Sequence, residues 1–107
     1  VLPVMPSLLR LVDLLQEPPP RGVPIKDRTD FFATYHNCFV AQELVEWMLA
    51  RLPTLLHRRA DAVRVGQQLH DEGYIVCAMP EPRPFADDRT YFRVEDAYVR
   101  HVAAAPP

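Results

Sequence analysis

Apolar residues recur at helical spacing in three stretches of this chain and in extended runs between them. The stretch from Tyr35 to Leu52 begins as an extended segment and turns into a helix. From Gln42 onward Leu44, Trp47, Met48 and Leu52 share one helical face, with Gln42, Glu43, Glu46 and Arg51 mostly on the other. Trp47 is the single Trp and sits in the middle of the stripe. A Trp there reads as a packing centre, and truncating it is expected to cost ~3–5 kcal/mol.

Earlier in the chain, Val1–Pro6 reads as an extended segment. Ser7 is suited to cap a helix whose stripe is Leu8, Leu11, Val12 and Leu15. Leu9 and Leu14 widen the apolar surface beyond one face, and Pro18-Pro19-Pro20 ends the helix. Val23–Tyr35 reads as a hairpin arm. Val23 and Ile25 face one way and Pro24 and Lys26 the other, Thr29-Asp30 turns, and Phe31–Tyr35 returns. Phe31 and Phe32 lie at the arm's end. Alternation predicts one of them buried and one presented.

Pro53 stops the Trp47 helix. After a basic loop of His57, Arg58 and Arg59, Ala62, Val65, Gly66 and Leu69 define a third amphipathic helix over 60–72, where Gly66 lets another helix approach. Gly73 suits the residue after that helix. Tyr74–Ala78 is a compact strand with Ile75 inside. Met79–Asp88 holds Pro80, Pro82 and Pro84 and reads as an irregular loop. Arg89–Val94 alternates and pairs back on 74–78. Glu95–Pro107 reads as tail, with a short helical turn near Tyr98, Val99 and Val102. The pattern therefore predicts an α+β, winged-helix-like domain over 7–94. It is a three-helix bundle with a β-hairpin arm between helices 1 and 2 and a small C-terminal two-stranded wing. Leu44, Trp47, Met48, Leu69 and Ile75 are its expected core.

A length of 107 residues, 49% of them hydrophobic, suits one globular domain with its own core. A first residue of Val and not Met leads to the expectation of a piece of a longer protein. The net charge is −2, with 12 basic against 14 acidic residues, which argues against bulk electrostatic binding of nucleic acid. Cys38 and Cys77 read as reduced core thiols. His36 and Cys38 make no zinc set, and apolar surroundings would raise either thiol pKa, the wrong direction for a nucleophile. No Gly-rich phosphate loop exists among three glycines. No catalytic group, metal or cofactor is expected.

Four blocks together resemble the DEP domain. They are Gly22–Arg28, Tyr35–Met48, Ala62, Val65, Gly66 and Leu69 with Gly73-Tyr74-Ile75, and Phe85 with Tyr91-Phe92-Arg93. They cover about Ser7 to Val94. The first two look most like the mTOR-inhibitory DEP protein and the Rac and Rap exchange factors. His36 stands where that family often has Pro, and Ala41 where it often has Gly.

The resemblance implies a non-catalytic docking module at the cytosolic face of membranes, in small-GTPase, G-protein or mTOR-type signalling. Its partners would be receptor tails, signalling proteins or other domains of its own chain, with anionic phospholipid as an auxiliary ligand. Exchange of the first helix and hairpin between two copies, giving a domain-swapped homodimer, stays open. The matching contact residues are Arg10, Arg21, Lys26 and Arg28, with Phe31 and Phe32 at the tip. Four basic residues at ~1 kcal/mol each give ~4 kcal/mol at an anionic leaflet, about the binding of one acyl chain. A protein partner would then supply most of the affinity. Equally, Lys26 and Arg28 could only solvate the hairpin or pair with Asp27 and Asp30. The alternative reading is a winged-helix nucleic-acid binder with helix 60–72 in the major groove. Asp61, Asp71 and Glu72 make that helix a poor surface for phosphates.

Overall fold

The computed structural model describes residues 4–31 and 33–100. Phe32, Val102 and the last residues of the expected tail therefore lie outside the described residues. Helix α1 spans Leu8–Leu15, strands β1 and β2 span Lys26–Thr29 and Thr34–Val40, and helices α2 and α3 span Ala41–Arg51 and Arg59–Asp71. Strands β3 (Ile75–Cys77) and β4 (Tyr91–Val94) follow, then a one-turn 3-10 helix at Asp96–Tyr98.

Each helix ends where local chemistry dictates. Ser7 accepts a hydrogen bond from the Arg10 amide at 3.1 Å and so caps α1. Val40 precedes α2 and carries no side-chain acceptor. The carbonyls of Thr90 and Asp88 take its place, receiving the Ala41 and Gln42 amides at 2.9 and 2.8 Å. At the end of α3 the Tyr74 amide donates to Leu69 O at 2.9 Å and the Gly73 amide to His70 O at 3.0 Å. That double closure needs a left-handed residue, and Gly73 supplies it at φ 80°.

The strands form one antiparallel sheet in the order β1-β2-β4-β3. Arm and wing, which the sequence pattern separates, are thus joined. Strand β2 runs the whole way from the arm into the body, where Phe39 faces Phe92 and Val40 faces Tyr91. The reason is in the sequence: Cys38, Phe39 and Val40 are an apolar extended run, and all three are buried.

The core lies between the body half of this sheet and the three helices. Leu44, Met48, Leu69 and Ile75 are fully or almost fully buried, and Trp47 is 8% exposed. The Trp47 ring donates Nε1–H to Arg21 O at 2.7 Å, which fixes the turn that opens the arm onto α2. Gly66 does permit a close approach, but its neighbour is a ring and not a helix. A methyl there would sit inside van der Waals contact of the Phe85 ring, which the 78–90 loop inserts to 1% exposure. Residues 95–100, expected as tail, pack back on α1. The Gln16 amide donates to Tyr98 O at 2.9 Å, the Gln16 carbonyl accepts from the Arg100 amide at 2.6 Å, and Tyr98 lies 4.7 Å from the Tyr74 ring.

Candidate functional site

The arm projects because β2 bends. Lys26 pairs with Cys38 but Arg28 with Tyr35, so β2 carries one extra residue between those rungs. Asn37 absorbs it at φ 52°, a left-handed conformation that Asn tolerates better than most residues. Asp27 locks the bulge from the opposite strand. Its carboxylate accepts the Asn37 amide at 3.1 Å and lies 3.3 Å from the His36 ring. The Asn37 amide, and then the His36 ring, hold the Asp27 carboxyl below the usual carboxylate range.

A second brace ties the arm to the body. Arg28 reaches across to α2, 3.7 Å from Glu43, and donates to Pro24 O at 3.2 Å. Its side chain is only 13% exposed, and its Nε is buried without a partner in the structure. The pairing of Arg28 considered from sequence was with Asp27 or Asp30. The fold brings it to Glu43 on α2 instead. Arg28 thus fixes the arm's angle, and Lys26 stays exposed with no ion pair among the described residues.

At the tip, Phe31 is 101% exposed. It lies in the connecting turn and not in the return strand, since β2 begins only at Thr34. The turn is closed by the Asp30 amide donating to Ala33 O at 3.0 Å and the Ala33 amide to the Asp30 carboxylate at 2.9 Å. Strand alternation therefore does not govern Phe31.

Arg10 lies on α1, and Arg21 lies in the turn at the arm's root. They line a cleft of about 1120 Å3 between α1, the proline turn and the arm's root. Arg100 joins them there, a residue that sequence reasoning left in the tail. Only the fold brings it close, through the Gln16 clamp, and no spacing in the sequence signals it.

On α3, considered above as a nucleic-acid reader, the basic residues face acidic neighbours. Arg58 and Arg64 both lie within 4.0 Å of Asp61, and Arg59 makes two hydrogen bonds, of 2.6 and 2.8 Å, to Asp87. Cys38 is buried and Cys77 half-buried, and neither is bonded to the other. Burial pushes the Cys38 thiol pKa up, away from thiolate chemistry. Among the described residues no three His, Cys, Asp or Glu side chains converge as metal ligands. Among the described residues no helix is long and apolar enough to cross a membrane.

Three helices against a four-stranded antiparallel sheet with a projecting hairpin define an α+β module built for contact. The chain belongs to the DEP family, the domain found in Dishevelled, Egl-10 and Pleckstrin, whose model matches residues 22–94. DEP domains are generally non-catalytic modules of signalling proteins. The fold is similar to that of the human pleckstrin DEP domain, with a TM-score of 0.71 over 91% of this chain and 82% of that one at 17% identity. It is also similar to the DEP domain of mouse pleckstrin2, with a TM-score of 0.68 over 94% and 91% at 21% identity.

In sequence, it is 36% identical over 70% of its length to a Dictyostelium discoideum protein described as a probable serine/threonine-protein kinase. It is 33% identical over 85% of its length to a vacuolar membrane-associated protein of Debaryomyces hansenii. It is 28% identical over 67% to the mouse 1-phosphatidylinositol 3-phosphate 5-kinase. The chain spans 4%, 6% and 3% of those three relatives, respectively.

Proposed function

We propose that this domain docks a larger signalling protein onto an anionic membrane and a protein partner at the cytosolic face, using the arm as its contact element. The observation that carries the reading is the arm itself. It is rigid at the root and presents a bare aromatic ring at the tip. A fully exposed Phe at the end of a braced hairpin is free to enter a partner's groove or a bilayer interface. Burying that ring contributes ~1.5–3 kcal/mol. Lys26, exposed on the arm, adds ~1 kcal/mol near an anionic leaflet. Arg28 adds little, because Glu43 already engages it. Lipid attraction is thus an auxiliary term, and a protein partner supplies the remainder. Two relatives point the same way by name, one associated with the vacuolar membrane and one acting on a phosphatidylinositol phosphate. Small-GTPase, G-protein or mTOR-type signalling is the setting we favour.

Vesicle co-sedimentation tests the arm. Phosphatidylcholine vesicles with phosphatidylserine should retain the domain, and phosphatidylcholine alone should not. Phe31→Ala combined with Lys26→Glu should release it. Retention of that double variant would remove the arm from the mechanism.

A further inference from the structure

We propose that the cleft beside α1 binds an extended acidic peptide, with apolar residues set between its carboxylates. This rests on the docking reading above and names a partner chemistry for a surface away from the arm's tip.

The first argument is charge. Arg10 from α1, Arg21 from the arm's root and Arg100 from the C-terminal segment converge on one cleft of about 1120 Å3. None of the three has an ion-pair partner among the described residues, whereas Arg28, Arg58, Arg59, Arg64 and Arg93 are all paired. Glu17 is the one carboxylate in the lining, so three guanidiniums face one negative charge. Arg51, Arg83 and Arg89 are also without ion pairs among the described residues but do not line this cleft, so what sets it apart is the gathering of three unpaired guanidiniums in one place. Guanidinium forks suit carboxylates because both hydrogen bonds form together.

The second argument is the floor. Val23, Ile25 and the three prolines of 18–20 line the same space. A phosphate headgroup would use the charges but has no apolar part to set on Ile25 and the proline rings. A chain that alternates acidic and apolar side chains matches both.

The third argument is pre-organisation. The Gln16 amide is saturated by Val12 O at 3.0 Å and Tyr98 O at 2.9 Å, and its carbonyl holds the Arg100 amide at 2.6 Å. Gln16 therefore contributes no free group to a ligand. It places the backbone that carries Arg100, so less ordering remains to be done on binding.

The test uses a fluorescent, end-blocked hexapeptide alternating Glu and Leu, with a Gln–Leu counterpart as control. Anisotropy should show salt-sensitive binding of the acidic peptide and about tenfold weaker binding of the control, the scale of one charge-assisted hydrogen bond. Arg21→Glu with Arg100→Glu should weaken the acidic peptide at least as much, and Phe31→Ala should leave it unchanged. Arg10→Glu provides a variant that keeps its fold. It places a carboxylate in the first turn of α1, where the helix dipole favours one, and it should also weaken the peptide.

Equal affinity for the two peptides, or no binding of the acidic one, overturns the proposal while leaving arm-dependent vesicle binding to stand on its own. Phosphatidylserine vesicles that need Arg21 and Arg100 while the peptide does not bind would reassign the cleft to a lipid headgroup.

Discussion

The two hairpins of this domain are built from similar residues and do opposite things. The β3–β4 wing turns its aromatic and β-branched residues inward, and Ile75, Phe92 and Val94 are all buried. Its long connection is anchored as well, since Phe85 fills the notch at Gly66 while Asp88 and Thr90 cap α2. The β1–β2 arm has no such cover beyond its root. Polar contacts hold it there, Asp27 across the bulge and Arg28 against Glu43. The wing is thus part of the core, and the arm is an attachment to it. Burial stabilises the first, and charge and hydrogen bonding position the second. A surface held by polar braces can stay exposed and still keep its shape, which a contact element requires.

The largest effect that separates them is aromatic truncation. Phe85→Ala should cost ~3–5 kcal/mol in urea unfolding, because it empties a fully enclosed site. Phe31→Ala should stay within ~0.5 kcal/mol of the parent, because its ring touches solvent in both states. Comparable losses would mean that the arm's tip is packed and the contrast is wrong.

Next in size is Gly66→Ala. The new methyl meets the buried Phe85 ring, which has no open direction in which to move, and overpacking of this kind costs ~1–3 kcal/mol. In a Phe85→Ala background the same substitution should cost under ~0.5 kcal/mol, since the space is then empty. The two changes should therefore be strongly non-additive. Additive losses would show that Gly66 matters for a reason other than the ring.

These two positions also mark how far the sequence could be read. The helices were legible because Leu44, Trp47, Met48 and Leu69 recur at a period that nothing else explains. The turn at Gly73 was legible because its chemistry is local. The loop 79–88 reads as irregular from its prolines, and the fold makes it a structural plug. Phe85 gives no periodic signal, and its partner Gly66 lies 19 positions away. The joining of arm and wing was hidden for a related reason: β2 pairs with β4 across half the chain. At the candidate site, Lys26 and the Phe31 tip could be picked out by residue type. The partner of Arg28 depended on how the fold sets the arm against α2, and Arg100 depended on a clamp formed by Gln16. Spacing carries no trace of either.

A smaller effect tests the brace. Glu43→Gln leaves the half-buried Arg28 without its counter-charge and should cost about 1 kcal/mol or less globally, as exposed or partly exposed pairs do. The local effect should be clearer. Amide exchange should quicken across the arm strands 26–29 and 34–37 and stay unchanged in α3. If α3 amides quickened equally, arm and body would be one cooperative unit, and the distinction drawn above would fail.

The smallest expected effect is on acid stability, and it also divides arm from body. The Arg59 guanidinium holds the Asp87 carboxyl below its usual range, and the Arg58 amide does the same for Asp61. Both fasten α3, Asp87 to the loop and Asp61 to the helix start, while Asp27 is held low within the arm. A carboxyl whose pKa is lower in the folded state contributes stability that is complete above its unfolded value of about 3.9. That contribution is lost as the pH falls through the lowered folded value. Asp87→Asn should therefore be slightly less stable than the parent near neutral pH and lose stability less steeply below about pH 4. Asp27→Asn should leave the global acid transition nearly in place and change only the pH dependence of exchange at the Asn37 amide. A global acid shift from Asp27→Asn as large as that from Asp87→Asn would show that the bulge belongs to the core's own stability and does not act only as the arm's hinge.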